Sequence, residues 1–262
     1  MNAQFQGKIA VVTGGALGIG QVLVKEFVRA GAKVAVIDIN QEAGERLGQE
    51  IRAQGGELLF YHGDISEQAA LEEFAARVVE HYGAVDYLIN NAMTSYNGIL
   101  SDCSFDDFTK ALKIGVTAPY YLTKLLLPHF REHAAIVNLS STRAFQSQAD
   151  SESYTAAKGG ITALTHALAV SLAGKVRVNS VAPGWIDTGH TYDQNYVPEH
   201  TEEDLLQHPV KRIGHPLDIV RTIFFLCSEE NSFINGQNIT VDGGMSKLMI
   251  YTGDEGWSYK AT

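Results

Sequence analysis

Short apolar runs alternate with longer helical patterns along the 262-residue chain, and this alternation restricts the possible folds more than any other feature. Several of the runs are almost wholly apolar, as expected of strands that are covered on both faces. Regular alternation of strand and helix predicts parallel strands joined by right-handed crossovers. We therefore predict a doubly wound α/β fold, with helices on both faces of a seven-stranded parallel sheet and a single domain over residues 1–262. The predicted strands are 8–12, 33–37, 58–61, 85–89, 135–139, 175–181 and 237–241.

A glycine-rich turn joins the first predicted strand to the first helix. It reads Thr13-Gly14-Gly15-Ala16-Leu17-Gly18-Ile19-Gly20, and the helix that follows ends at Gly31. Three glycines, at 14, 18 and 20, leave the backbone free to turn tightly and to approach a pyrophosphate. The free N–H groups and the positive dipole end of the helix would bind that group. This order of strand, glycines and helix predicts a nucleotide-binding, Rossmann-type domain.

Asp38 ends the second predicted strand, where it bears on the choice of coenzyme. A carboxylate at this place accepts hydrogen bonds from the adenosine ribose diol and repels a 2′-phosphate. Gly15, Ala16 and Leu17 offer no basic side chain to such a phosphate. The sequence thus favours NAD over NADP as the cofactor. A second role for Asp38 is to cap the next helix, predicted over 39–54.

Ser141, Tyr154 and Lys158 form a candidate catalytic group. Tyr154 and Lys158 are four residues apart, so they lie on one face of a helix. A cation about 4 Å from a phenol favours the phenolate by roughly 4 kcal/mol at an effective dielectric of about 20, or roughly three pKa units before desolvation offsets part of it. Ser141 follows a strand end, where open α/β sheets bind ligands. Alone, the Tyr-x-x-x-Lys spacing is more typical of an ordinary helix with a buried tyrosine and a solvated lysine, and the other motifs of the chain argue against that interpretation.

Composition excludes several classes of function. A formal net charge of −10 argues against nucleic acid or an anionic membrane as a partner. No apolar run approaches the roughly 18 residues of a membrane span, and the first residues lack a signal-peptide pattern, so we expect a cytoplasmic protein. Cys103 and Cys227 are the only cysteines, and His129 and His133 have no third ligand nearby, so we expect no metal site.

Taken together, the motifs resemble those of the short-chain dehydrogenase/reductase family, over about residues 5–246. They comprise Thr13-Gly14-x-x-x-Gly18-x-Gly20, Asp38, Asp64, Asn90-Asn91-Ala92, Ser141, Tyr154-x-x-x-Lys158, Asn179-x-x-Ala182-Pro183-Gly184 and Val241-Asp242-Gly243-Gly244. The resemblance implies that Ser141 polarises the substrate oxygen, that Tyr154 exchanges the proton, and that Lys158 lowers the Tyr154 pKa and binds the nicotinamide ribose. It also implies that NAD is held by Gly14, Gly18, Ile19, Gly20, Asp38, Asp64, Ile65, Asn90, Tyr154, Lys158, Pro183, Gly184, Ile186 and Thr188.

The chain departs from the family pattern at two positions. Family members usually carry an Asn that holds a water in a proton relay, and Gly115 stands at that position here. Glycine leaves room for a water and keeps its backbone groups, so we expect a relay with rearranged water. Pro119 is expected to kink the helix predicted over 105–130. Met93 replaces the Gly of the Asn-Asn-Ala-Gly pattern and either lines the active-site cleft or fills the core.

The sequence carries less information about which residues contact the substrate. The polar and aromatic segment 185–212 is long for a loop of a compact domain, so we expect it to form a lid. We also expect Met93, Arg143, Gln148, His190 and Tyr192 to contact a small-molecule alcohol or ketone, such as a polyol or sugar. Arg143 would bind a substrate anion, or else form a surface ion pair with Asp150 or Glu152.

An apolar tail, 245–262, follows the last motif, with Met249, Ile250, Tyr251, Trp257 and Tyr259 in it. We expect it to pack on its own domain or on a neighbouring subunit. Related enzymes form tetramers, and two long helices, predicted over 105–130 and 153–173, are candidates for the interface of a homotetramer or a homodimer.

The leading hypothesis is an NAD(H)-dependent oxidoreductase that interconverts a secondary alcohol and a ketone. The alternative is an NAD(H)-binding sensor or scaffold with reduced catalysis, which Gly115 would explain. The presence of Ser141, Tyr154 and Lys158 together speaks against this alternative. An epimerase or dehydratase acting on nucleotide sugars is disfavoured because the carboxyl-terminal portion is too short.

Overall fold

The computed structural model describes residues 4–249 and 251. Seven strands form one parallel sheet in the order β3-β2-β1-β4-β5-β6-β7, which confirms the predicted architecture. Val12 of β1 pairs with Val36 on one side and with Ile89 on the other. The strands are β1 Ile9–Thr13, β2 Lys33–Asp38, β3 Leu58–His62, β4 Val85–Asn90, β5 Phe130–Leu139, β6 Arg177–Pro183 and β7 Asn238–Val241.

Helices cover both faces of the sheet, because each strand of the interior is apolar on both sides. Leu23, Phe27 and Ile223 pack on one face, and Phe74 and Leu122 pack on the other. The helices are α1 Gly18–Arg29, α2 Gln41–Ala53, α3 Gln68–Tyr82, α4 Phe105–Leu112, α5 Ala118–Leu126, α6 Glu152–Ser171, α7 Gly189–Tyr192, α8 Glu202–Leu206 and α9 Pro216–Cys227. In the part of the chain that is described, no helix is both long and apolar enough to span a membrane.

The helix predicted over 105–130 is divided. A π-helical turn, Lys113–Thr117, separates α4 from α5, and the Ala118 amide donates to the Lys113 carbonyl. Pro119, in the first turn of α5, has no N–H for the Gly115 carbonyl, its acceptor in a regular α-helix. The expected kink is therefore a wider turn. The prediction was wrong at the other end, since β5 already begins at Phe130 and its first residues are largely exposed.

The sheet fixes where a ligand can bind. Strand order reverses between β1 and β4, so the crossovers on either side leave a crevice at the carboxyl ends of these strands. The glycine-rich turn, Asn90 and Ser141 all follow strand ends at this edge.

Candidate active site

The turn after β1 brings backbone to places where a side chain would not fit. Gly14 and Gly18 have φ of +66° and +61°, in the left-handed region that favours glycine. A Cβ on Gly14 would lie 2.7 Å from the Ala92 Cα, and one on Gly20 would overlap the Gly14 carbonyl. Ile19 packs on the core beneath. At its glycine positions the first turn of α1 therefore presents only backbone atoms, which suits it to bind a phosphate.

Asp38 stabilises this turn. Its Oδ2 accepts from the Ala16 amide at 2.9 Å and its Oδ1 from the Asn40 amide at 2.9 Å. Asn40, whose Oδ1 accepts from the Ala43 amide, caps α2. The alternative that Asp38 caps this helix is thus wrong, because the chain offers a better-placed side chain two residues later. The carboxylate instead lies beside the loop that would hold a nucleotide.

Polar side chains at the ends of β3 and β4 complete this side. Asp64 pairs with Lys110 at 3.0 Å; burial raises the pKa of its carboxyl, but hydrogen bonds from Ser66 and Lys110 outweigh this and lower it. Ile65 is buried beside it. Asn90 donates to Asn138 at 2.8 Å, and its own Oδ1 is buried with no partner among the described residues.

Asn91 is a residue to which the sequence analysis gave no role. Its Nδ2 donates to the carbonyls of Thr13 and Gly14, at 3.1 Å and 2.7 Å. Its amide and that of Ala92 donate to the Thr13 hydroxyl. Four hydrogen bonds therefore tie the end of β4 to the glycine-rich turn. The paired Asn in the motif was the available signal.

Tyr154 and Lys158 lie on one face of α6, as predicted, with the lysine Nζ 5.5 Å from the tyrosine ring centroid. Burial raises the pKa of Tyr154, while a hydrogen bond with Ser141 and the charge of Arg143 act to lower it. Lys158 is fully buried, which lowers its pKa to about 8, and its Nζ donates to the Leu139 carbonyl at 2.6 Å. The strand-end carbonyl thus holds the ammonium near the Tyr154 ring, and stabilisation of the phenolate by Lys158 stays a prediction.

Arg143 is the cation nearest the face of the tyrosine ring. Its guanidinium carbon lies 5.4 Å from the Tyr154 ring centroid, within cation–π distance. The expected alternative of an ion pair with Asp150 or Glu152 is wrong. Both carboxylates are directed to the segment opposite, Asp150 to the Leu100 amide and the Ser101 hydroxyl and Glu152 to the Ile99 amide.

Gly115 sits under α6 at a point of close approach. A Cβ added to it would lie 2.7 Å from the Ala157 Cβ and 3.1 Å from the Met93 Sδ. Met93, expected at the cleft or in the core, packs against the apolar cluster of this face. Its thioether borders the space into which a side chain at 115 would project, and Gly115 itself is buried.

Replacing Gly115 by alanine should lower the free energy of unfolding by about 1–3 kcal/mol, because α6 must shift away from the new methyl group. In helices this substitution ordinarily stabilises by roughly 1 kcal/mol, so the expected sign is reversed. Gly115→Asn should also lower kcat, since α6 carries Tyr154 and Lys158. Urea unfolding and steady-state rates measure both effects.

Gly159→Ala, on α6 itself, is the matched control because a Cβ there meets nothing within 4 Å. It should stabilise the protein or leave it unchanged. Equal stabilisation by Gly115→Ala and Gly159→Ala would contradict the close contact.

The segment after β6 lies over the same crevice. Pro183 ends the strand, and Gly184 donates its amide to Val241 at 3.0 Å, with no room for a Cβ beside Asp242. Ile186 forms an isolated parallel bridge with Gly214. Thr188 precedes α7, and its carbonyl accepts from the Thr191 hydroxyl. The residues assigned to a carboxamide therefore form one short, hydrogen-bonded stretch.

Helix α7 contacts the amino end of α1. The Gly18 amide donates to the Thr191 Oγ1 at 2.8 Å, and the Tyr192 hydroxyl would be 3.4 Å from a Cβ on Gly18. His190 stacks on His215 with ring centroids 5.5 Å apart. His190 and Tyr192, expected in the substrate pocket, therefore contact His215 and the turn at Gly18, and nothing in these contacts joins them to Ser141. Thr191 is a residue that the sequence analysis missed.

Further residues of the segment 185–212 enclose a cavity of about 520 Å³. His200 pairs with Asp187 at 3.2 Å, Tyr196 donates to the same carboxylate, and Trp185 lies edge-on to His200.

Gln148, by contrast, is exposed, and its carbonyl accepts from Ser151. Among the described residues, no group of three or more His, Cys, Asp or Glu is placed to hold a metal ion. The predicted packing of the tail also concerns residues 250 and 252–262, which lie outside the described part of the chain. Met249 and Tyr251 are exposed.

Known proteins share both sequence and fold with this chain. A family profile described as enoyl-(acyl carrier protein) reductase matches residues 14–246. An uncharacterized oxidoreductase of Thermotoga maritima is 38% identical over 252 residues, covering 94% of this chain and 98% of that protein. The structure of an apo SCOR enzyme from Clostridium thermocellum has a TM-score of 0.88 at 42% identity, covering 97% of this chain and 99% of that one. A 7α-hydroxysteroid dehydrogenase complexed with NADH and 7-oxo glycochenodeoxycholic acid has a TM-score of 0.83 at 32% identity, covering 93% and 96%.

Proposed function

Because the chain belongs to the short-chain dehydrogenase/reductase family, whose members are oxidoreductases that use nicotinamide coenzymes, we propose that it interconverts a secondary alcohol and a ketone with NAD(H). The observation that carries this proposal is the arrangement of Ser141, Tyr154 and Lys158 at the carboxyl end of β5 and on the adjoining face of α6. A hydroxyl, a partly buried phenol and a buried amine provide groups suited to proton exchange with a carbinol.

The residues present fit a dinucleotide. A Cβ on Gly14 or Gly20 would collide with neighbouring backbone, and Ile19 packs on the core, so the first turn of α1 presents backbone to a ligand. The buried, unpartnered Oδ1 of Asn90 provides an acceptor at the switch point. Gly14, Gly18, Ile19 and Gly20 would hold the pyrophosphate region, and Pro183, Gly184, Ile186 and Thr188 the nicotinamide amide. Asp64 and Ile65 would border the adenine.

Proton transfer is the task of the protein. The coenzyme, when bound, supplies or accepts the hydride. Ser141 would donate a hydrogen bond to the substrate oxygen, and Tyr154 would give that oxygen a proton in reduction and take it back in oxidation. Lys158, held on the Leu139 carbonyl, would keep a positive charge near the phenol and bind the nicotinamide ribose. The relay past Gly115 stays a prediction.

Asp38 supports the choice of NAD, and replacing it by Asn tests this. Asn keeps an oxygen acceptor for the Ala16 amide but removes the charge that repels a 2′-phosphate. Asp38→Asn should therefore raise kcat/KM with NADP by about tenfold or more, near 1.4 kcal/mol, while the value with NAD changes less. Asp38→Ala, which also deprives the turn of its acceptor, should lose activity with both coenzymes. Unchanged discrimination in Asp38→Asn would contradict the role.

The experiment that tests the function follows NADH absorbance in purified protein given NAD and a panel of polyols, sugars, hydroxy acids and cyclic alcohols. The expected result is a substrate whose oxidation disappears in Tyr154→Phe. No turnover across the panel, together with tight NADH binding, would favour the sensor or scaffold instead and make Gly115 its explanation. We place the protein in the cytoplasm, with the segment 185–212 as its lid.

We further propose a homotetramer or homodimer. Large apolar side chains are exposed on the helices expected at the interface, with Phe105 at 85% and Val170 at 77% of full exposure. Light scattering after size exclusion measures the oligomer, and a monomer at micromolar concentration would contradict the proposal.

A further inference from the structure

Arg143 lies next to Ser141 and Tyr154. Its amide donates to the Ser141 Oγ at 3.2 Å, and its guanidinium lies over the Tyr154 ring. The residue is half-buried. The backbone of Arg143 thus contacts Ser141 and its guanidinium contacts Tyr154, the two groups proposed to act on the substrate oxygen.

This guanidinium has no acidic partner among the described residues, and its contact there is with the Tyr154 ring. The two acids nearest in sequence accept hydrogen bonds from another segment of the chain. Asp150 accepts from the Leu100 amide at 2.8 Å, and Glu152 accepts from the Ile99 amide at 3.1 Å. Acidic groups outnumber basic ones by 30 to 20 in this chain. Arg177 and Lys158 also lack a carboxylate partner, but both donate to backbone carbonyls, whereas no described residue accepts a hydrogen bond from the Arg143 guanidinium. This partly desolvated cation therefore points to a ligand that supplies the negative charge.

We infer that Arg143 binds a carboxylate of the substrate, so that the enzyme acts on hydroxy acids or oxo acids, sugar acids included. This inference rests on the proposed function and names its substrate class. One guanidinium offers one fork and one charge, which match a carboxylate. A phosphate ester carries up to two charges and three acceptor oxygens, and the described residues supply no second cation beside Arg143 other than Lys158, which is buried on the Leu139 carbonyl.

The test compares matched pairs of probes with and without the charge: gluconate against glucitol, and 3-hydroxybutyrate against its methyl ester. Glucitol 6-phosphate forms the phosphate arm. The wild-type enzyme should prefer the acid of a pair by at least tenfold in kcat/KM. Arg143→Gln should lower kcat/KM for that acid by at least tenfold, mainly through KM, and much less for its neutral partner. Arg143→Lys, with the charge but not the fork, should fall between them.

Arg29→Gln is the matched control, since Arg29 pairs with Glu26 at the far end of α1. It should alter neither member of a pair. An equal loss for acid and neutral probe in Arg143→Gln would show that Arg143 acts only on Tyr154, and would overturn the inference. A preference for the phosphate ester would overturn it as well.

A calorimetric titration separates this inference from the proposed function. Gluconate and 3-hydroxybutyrate are titrated into NADH-saturated wild type and Arg143→Gln, without turnover. Binding that Arg143→Gln weakens at least tenfold supports the carboxylate site even where the panel shows no oxidation. Equal binding to both proteins, or none to either, overturns the site, whereas oxidation of neutral alcohols alone leaves the proposed function standing and removes the substrate class.

Discussion

Replacing Tyr154 by phenylalanine should lower kcat by about 10²–10⁴-fold, the usual contribution of a positioned acid or base. The ring would keep its place on α6 and its contact with the Arg143 guanidinium, so packing is preserved. What disappears is the hydroxyl proposed to exchange the proton with the substrate. Steady-state rates, measured alongside NADH binding by fluorescence, should show lost turnover with an affinity changed by less than about threefold, or 0.7 kcal/mol.

Tyr120→Phe is the control, because Tyr120 is half-exposed on α5 and away from the strand ends. Its rates should match those of the wild type. Residual turnover above about a tenth of the wild-type rate in Tyr154→Phe, well short of a typical acid–base contribution, would mean that another group exchanges the proton.

Replacing Lys158 by methionine should have a second large effect, on stability as well as on turnover. Burial lowers the pKa of Lys158 from 10.5 to about 8. At neutral pH Lys158 is protonated in both states, but its charge is less favourable in the folded protein than in the unfolded chain. The difference corresponds to about 3 kcal/mol of unfolding free energy.

The dependence of stability on pH is set by the number of protons that Lys158 binds in the folded and in the unfolded state. Between pH 8 and 10.5 the unfolded chain binds more protons at this lysine than the folded protein does, so this contribution makes the wild type more stable as pH rises. Lys158→Met lacks the contribution. Relative to the variant, the wild type should thus gain about 3 kcal/mol across this window, measured by urea unfolding without coenzyme at a series of pH values.

Turnover should fall by about 10²-fold or more in the same variant, because the ammonium proposed to support the phenolate and to bind the nicotinamide ribose is lost, and the Arg143 guanidinium over the ring does not replace it. Lys124→Met, at an exposed position of α5, should change neither the pH dependence of stability nor the rate. A stability difference between wild type and Lys158→Met that is constant with pH would contradict a lowered pKa.

Much of the fold could be predicted from the sequence because its cause is local. Apolar runs of strand length mark six of the seven strands to within two residues at each end, and Gly14, Gly18 and Gly20 mark the turn by their own chemistry. The start of β5 was not predicted, since Arg131, Glu132 and His133 have no apolar periodicity and lie in an irregularity between the Val85–Phe130 and Tyr87–Ala135 pairs.

The candidate site could be predicted as a set of residues but not as a set of contacts. Helical spacing placed Lys158 beside Tyr154, yet the Leu139 carbonyl that takes its ammonium is nineteen residues away in sequence. The contact of Gly115 with Ala157 likewise depends on how two helices meet. The surroundings of Arg143 could not be predicted, because its two candidate partners, Asp150 and Glu152, accept hydrogen bonds from a segment some 50 residues earlier.

The hydrogen bond from the Gly18 amide to the Thr191 hydroxyl has a consequence for the kinetics of the enzyme. A pyrophosphate at the amino end of α1 competes with that hydroxyl for the same donor. Arrival and departure of the coenzyme are then coupled to opening of the segment that carries α7. Such coupling favours an ordered mechanism, in which the nucleotide binds first and leaves last, and it makes nucleotide release a natural slow step of each cycle.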